Sequence, residues 1–178
     1  PTQFMKKKLD TNPLLMPRTK VMMNFSESVE QVKTEKKRYV LYFGRFSEEK
    51  GIRTLLSVCR ELPDISFVFA GTGPMEDDLK SISNIRDVGF QKGEALARLI
   101  REAQFSVCPS ECYENCPFSV VESQMWGTPV LGADIGGIPE LVKAGETGAL
   151  FESKNATALK AEIERLWNNP ELVQKYSD

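Results

Sequence analysis

Tyr39-Val-Leu-Tyr-Phe43, closed by Gly44 and followed by Arg45-Phe-Ser-Glu-Glu-Lys50-Gly51, is the stretch that decides the fold. An unbroken apolar run ending at glycine predicts a strand buried on both faces that leaves its sheet through a tight turn. Directly after it, Ile52, Leu55, Leu56 and Cys59 recur at three- and four-residue spacing, the period of an amphipathic helix. The alternation then repeats. Further strands are expected over 66–70, 85–88, 105–108, 129–133 and 148–151, and helices over 75–83, 94–103 and 118–126. Asn155 is the expected N-cap of a final long helix whose Leu159, Ile163, Leu166 and Trp167 share a face. Strands this apolar bury both sheet faces only under helices. The repeated strand-helix units therefore predict a doubly wound α/β fold, an open parallel sheet with helices on both faces.

Residues 1–36 differ in kind, with a basic run at Lys6, Lys7 and Lys8, prolines at 13 and 17, and a charged stretch over 27–38. They read as a connector, the tail of a preceding domain plus a linker, in which Lys20-Val-Met-Met-Asn24 is expected to form a short strand ending in an Asn turn. The domain proper is expected over 37–178. With 178 residues and 41% hydrophobic content, the chain can bury one substantial core. The near balance of 23 basic and 25 acidic residues argues against a nucleic-acid-binding face. The absence of histidine removes the commonest general base, the Ser-His-Asp and Cys-His systems, and most catalytic zinc sites. Four cysteines in a domain with an adequate core suggest a reducing cytosol rather than a disulfide scaffold. No apolar run approaches the roughly 20 residues that cross a bilayer. A cytoplasmic protein is expected, with membrane contact, peripheral to the inner face, only through the parent protein.

In open parallel sheets ligands sit beyond the carboxyl ends of the strands, which points to the turns after Phe43, Ala70, Val88, Cys108 and Ala133. Gly44-Arg45, Gly71-Thr-Gly73 and Gly89-Phe90 all offer glycine for close backbone approach, although ordinary turn chemistry explains any one of them alone. The Gly71 turn is one glycine short of the dinucleotide fingerprint, and no Gly-Lys-Ser/Thr phosphate loop is present. Arg45 and Lys50 put a planar fork and a point charge on one loop, donors suited to a diphosphate; the plain alternative is a solvated loop in which Glu48 and Glu49 pair with them.

After the fourth strand comes Pro109-Ser-Glu-Cys-Tyr-Glu114-Asn-Cys-Pro117-Phe-Ser-Val-Val-Glu122. Pro117 suits a first helical turn, and the amides near Phe118 and Ser119 would be unpaired there, an anion site facing the sheet crevice. Glu114 before that start and Glu122 beyond it are placed to hold hydroxyls on either side of a bound phosphate. Singly, Glu114 also reads as a helix-dipole partner and Glu122 as an exposed helix residue.

Together, Gly-Arg-x4-Lys-Gly, the Glu-x7-Glu of Glu114 and Glu122, Gly127-Thr-Pro-Val130 and Gly136-Gly-Ile-Pro-Glu140-Leu resemble the C-terminal domain of the family 4 (group 1) retaining glycosyltransferases. The resemblance runs from about residue 39 to 178, with the motifs in order, and implies a Rossmann-like half of a GT-B fold. Phe4-Met-Lys-Lys-Lys-Leu9 and Val21-Met-Met-Asn24 are similar to the end of that family's N-terminal domain and its linker. Arg45 and Lys50 match the diphosphate-binding cations, Glu122 the glutamate that holds the ribose, and Glu114 the glutamate at the reacting face of the sugar. Backbone groups of Asn115, Cys116, Pro117, Phe118 and Ser119 would hold the sugar and distal phosphate, Gly89 and Phe90 would lie in the region of the base, and Gly44 and Gly71 are further substrate-binding candidates.

The implied donor is a nucleotide-diphosphate sugar, GDP-mannose or a UDP-sugar, and the implied acceptor a saccharide or lipid-linked sugar in polysaccharide biosynthesis, held by an N-terminal domain missing from this chain. No metal or other cofactor is expected. The implied mechanism retains configuration through an oxocarbenium-like transition state, with electrostatic support from cations and helix amides. Competing readings are double displacement through Glu114, a nucleotide-binding module without catalysis, and a phosphorylase or epimerase on the same fold. Cys108, Cys112 and Cys116 lack a fourth ligand and are broken by prolines, so they are read as buried or loop thiols.

Overall fold

The computed structural model describes residues 2–15, 19–24 and 34–177. Pro17 and the charged residues 27–33 of the expected connector lie outside the described residues. A first helix, α1 (Gln3–Leu9), stands apart from the domain core; Thr2 caps it by accepting a hydrogen bond from the Met5 amide at 3.2 Å. The alternation then unfolds as β1 (Lys37–Phe43), α2 (Ile52–Glu61), β2 (Phe67–Ala70), α3 (Glu76–Leu79), β3 (Ile85–Asp87), α4 (Gly93–Glu102) and β4 (Ala103–Cys108). It continues with α5 (Phe118–Met125), β5 (Val130–Ala133), α6 (Ile138–Leu141), β6 (Gly148–Phe151), α7 (Ala156–Trp167) and α8 (Pro170–Ser177).

All six strands form one parallel sheet in the order β3-β2-β1-β4-β5-β6. Alternate residues of β1 enter different cores. Val40 and Tyr42 join Phe67, Phe69, Phe105 and Val107 under α2 and α7, while Tyr39, Leu41 and Phe43 join Val68, Ala70 and Ile100 on the α4 face. This two-sided burial is why the strands are apolar without alternation. Each fully buried Leu, Ile or Phe here contributes about 1.5–3 kcal/mol relative to exposure, and Leu41, Leu55, Phe67, Phe69 and Phe105 are all fully enclosed.

Two expectations change, and one helix is added. Lys20-Val-Met-Met-Asn24 forms no strand, because it passes over Cys116 at the mouth of the sheet, where Asn24 donates to the Cys116 carbonyl at 2.9 Å. The helix expected to reach Ser83 stops at Leu79, after which Asn84 donates to the carbonyls of Cys59, Leu62 and Ile65 and ties the chain back to the end of α2. The final long helix forms as expected, as α7, and a further helix, α8, follows it. Asn155 caps α7 through the Ala158 amide at 2.9 Å, as expected, but Asn169 accepts from the Leu172 amide at 3.0 Å and starts α8 with Pro170, which lacks the N–H to continue α7.

Candidate functional site

The strand order reverses between β1 and β4, so the turns leaving those two strands diverge and leave a crevice at their carboxyl ends. Two cavities of about 480 and about 490 Å³ occupy it and share Phe43, Gly44 and Arg45. The first is lined by Gly44, Arg45 and Lys50 from the β1 turn, by Glu114, Asn115, Cys116 and Pro117 from the β4 turn, and by Phe118, Ser119 and Glu122 from α5. The second takes in Gly71 and Phe90. Gly89 lines neither cavity; its carbonyl instead accepts the Gly71 amide at 2.9 Å.

Lys50 pairs with neither Glu48 nor Glu49. Its Nζ lies 2.5 Å from Glu114 Oε1, which also accepts from Ser110 Oγ at 2.7 Å. Burial opposes the Lys50 charge, but the hydrogen bond and charge of Glu114 outweigh it and hold the ammonium above the ordinary lysine range. Glu48 turns to Arg53 and Glu49 to Ser47, while Arg45, exposed at the boundary of the two cavities, has no ion pair within 4 Å among the described residues. The Tyr42 hydroxyl fixes this turn by donating to the Arg45 carbonyl at 2.7 Å. Burial, then the nearby Cys108 and Glu114 charges, push that phenol far above its usual range, so it remains a neutral donor.

Across the crevice, Pro117 precedes the first turn of α5, where the amides of Phe118 and Ser119 have no hydrogen-bond acceptor among the described residues. Glu122 follows one turn later, half-buried, and burial raises its carboxyl above the usual range. Cys108 is buried and pushed up to about 11 by burial and then by the Glu114 charge; burial raises Cys112 as well. The thiols of Cys108 and Cys112 are therefore protonated near neutrality. Cations, unpaired helix amides and two carboxylates thus face one space, an arrangement that can hold an anion and hydroxyl groups together.

Some contributors escape sequence reading. Ser110 orients Glu114, and Glu111 joins the two turns by accepting from Thr54 at 2.5 Å and donating its amide to the Glu49 carbonyl at 2.9 Å. Gln91 and Leu96 line the second cavity. None lies in a motif, and only the parallel pairing of β1 with β4 brings the two turns together.

The solved structure of a mutant of S. aureus TarM in complex with fondaparinux, alpha-GlcNAc-glycerol and UDP superimposes with a TM-score of 0.77 at 20% identity, over 86% of this chain and 33% of TarM. That likeness shows the fold, a Rossmann-like half of a GT-B architecture. In sequence the chain is 29% identical over 150 residues to alpha-D-kanosaminyltransferase of Streptomyces kanamyceticus, covering 78% of this chain and 39% of that one. It is also 29% identical over 163 residues to 2-deoxystreptamine N-acetyl-D-glucosaminyltransferase of Niallia circulans, covering 79% and 42%. The chain thus spans about two-fifths of the length of these relatives. Residues 24–178 match the family described as "Glycosyl transferases group 1", so the chain belongs to the group 1 glycosyltransferases.

Proposed function

We propose that this chain is the donor-binding half of a retaining glycosyltransferase of family 4, which moves a sugar from a nucleotide-diphosphate sugar to a saccharide or lipid-linked acceptor. Residues 37–178 would be the nucleotide-sugar domain, and residues 1–36 the tail and linker of an acceptor-binding domain. The observation that carries this reading is the meeting of Arg45, Lys50, Glu114, Glu122 and the α5 amides around one cavity at the switch point of the sheet.

In this reading the diphosphate lies between the β1 turn and the start of α5, where Arg45, Lys50 and the Phe118 and Ser119 amides meet the charge that grows as the glycosidic bond breaks. Glu122 holds the ribose hydroxyls. Glu114 already accepts two hydrogen bonds on Oε1, from Lys50 and Ser110. Those donors weaken it as a nucleophile while leaving Oε2 to orient a sugar hydroxyl, which favours a front-face reaction over double displacement. The second cavity, with Gly71 and the exposed Phe90 ring, would take the base. The donor is GDP-mannose or a UDP-sugar; the UDP held by TarM supports testing the uridine series alongside the guanosine one. Such a protein would work in the cytoplasm, at the inner face of a membrane where its acceptor is lipid-linked.

Calorimetric titration of UDP and GDP against their parent nucleosides tests the reading. The diphosphate should carry most of the affinity. Glu122→Ala removes hydrogen bonds to a charged acceptor, each worth about 1.5–3 kcal/mol, and should weaken binding roughly 10- to 100-fold. Equal affinity in the variant would sink the proposal.

A further inference from the structure

The Gly136-Gly-Ile-Pro-Glu140 motif has no part in the chemistry above, and its geometry shows what it holds. Glu140 accepts the amides of Gln3 at 2.7 Å and Phe4 at 2.6 Å, one on each carboxylate oxygen, and so fixes the start of α1. Gly137 donates to the Glu114 carbonyl at 2.7 Å. It lies so close that a Cβ there would come within 2.0 Å of the Asn115 carbonyl oxygen and 2.6 Å of the Thr2 methyl. Only glycine fits between α1 and the loop after β4.

From the other side, the segment before β1 grips the same loop residue by residue. The Tyr113 ring stands 5.0 Å from Phe4, with the Lys8 ammonium 5.1 Å from its centroid. Asn115 Oδ1 accepts from the Thr2 amide at 2.9 Å and from its hydroxyl at 3.2 Å, and Thr2 is fully buried. The Cys116 carbonyl accepts from Asn24 at 2.9 Å. With Glu114 held by Gly137, each residue of 113–116 is fixed by a group from outside the loop.

We propose that residues 2–15 and 19–24 act as a strap that orders loop 113–117 for the donor, with Glu140 as its latch and Thr2, Asn24 and Glu140 as positioning residues. That this loop meets a donor rests on the function proposed above. A strap that binds better to the ordered loop must, by reciprocity, be bound better when nucleotide is present. The motif is thus the joint through which the segment ahead of the domain is coupled to the donor site, and donor affinity depends on side chains that touch no donor.

The test uses the full chain as Glu140→Ala, Glu140→Gln and Asn24→Ala. Amide hydrogen exchange without ligand, read at the Gly137, Val120 and Val121 amides that bond to the loop carbonyls of Glu114 and Pro117, should quicken by at least about tenfold in Glu140→Ala, which loses both of its hydrogen bonds to the start of α1, with β1 and β4 unchanged. Glu140→Gln, which still accepts one bond, should restore part of the protection. UDP and GDP affinity should fall as the exchange quickens. Unchanged exchange at Gly137, Val120 and Val121 overturns the strap, as does faster exchange spread evenly over every strand. Should Glu140→Ala fail to fold, the exposed Asn24 side chain gives the same reading through the Cys116 carbonyl. If the unaltered chain binds neither nucleotide, the donor-site reading fails instead, and the strap is judged on the ligand-free exchange alone.

Discussion

At the scale of single residues, the two glutamates of the site are held in opposite ways. Glu114 has a cation at 2.5 Å and a hydroxyl at 2.7 Å, so its charge is compensated by groups of the chain itself. Glu122 has no side-chain hydrogen bond or ion pair among the described residues, and burial alone raises its carboxyl above the usual range. A carboxyl with a raised folded-state value favours the native chain while protonated, and that contribution fades as pH rises through the raised value. At neutral pH Glu122 therefore costs stability, which fits a group kept for a ligand that supplies its hydrogen bonds. Replacing it with an uncharged isostere should show both sides of this balance. Glu122→Gln is expected to melt higher relative to the unaltered chain at pH 7 than at pH 4, while nucleotide affinity at pH 7 falls. A melting difference that does not vary with pH would mean that the carboxyl is not strained by burial.

At the scale of elements, the parallel sheet was legible because burial on both faces leaves a plain mark, and every expected strand of the domain formed within two residues of its place. Elements with neither a sheet ladder nor a full helical period of their own were not legible. The four-residue helix α6 lacks a full period, α1 depends on Glu140, far away in sequence, and the Lys20–Asn24 stretch is placed by one side chain rather than by a ladder. The site followed the same division. Arg45, Lys50, Glu114 and Glu122 stand in motifs with distinctive spacing, whereas Ser110, Thr54 and Glu111 act only through the approach of the β1 turn to the β4 turn. Gly51 sets that approach. It adopts φ +71°, and a Cβ there would come within 1.9 Å of the Pro109 carbonyl oxygen. Gly51→Ala must therefore accept both left-handed backbone strain and separation of the two turns, together about 2–4 kcal/mol. Thermal unfolding should fall by several degrees, and nucleotide affinity should drop because Lys50 moves away from Glu114. Unaltered melting would show that the turns can part without cost.

For the whole molecule, the geometry separates binding from turnover. The crevice faces outward from the carboxyl edge of the sheet, and the exposed rings of Phe90 and Phe118 line it. A glycosyl transfer needs the acceptor oxygen against the anomeric carbon and water kept away, and the proposed reading assigns groups to the diphosphate side alone. The share of each relative that is matched, 39% and 42%, leaves more than half of its length unmatched, room for a second domain of ordinary size. The 178-residue chain is accordingly expected to bind nucleotide diphosphates weakly and to transfer no sugar. At a ligand concentration ten times Kd, binding to the native form alone adds about 1.4 kcal/mol, enough to raise Tm by roughly 3–6 °C. A thermal-shift series with UDP, GDP, UDP-glucose and GDP-mannose should give such a rise for one base over the other. Incubation of the preferred donor with saccharide acceptors should yield no glycosylated product by mass spectrometry. Robust turnover by these residues alone would mean that the acceptor site also lies within this chain, and the division of labour proposed for the two halves would be wrong.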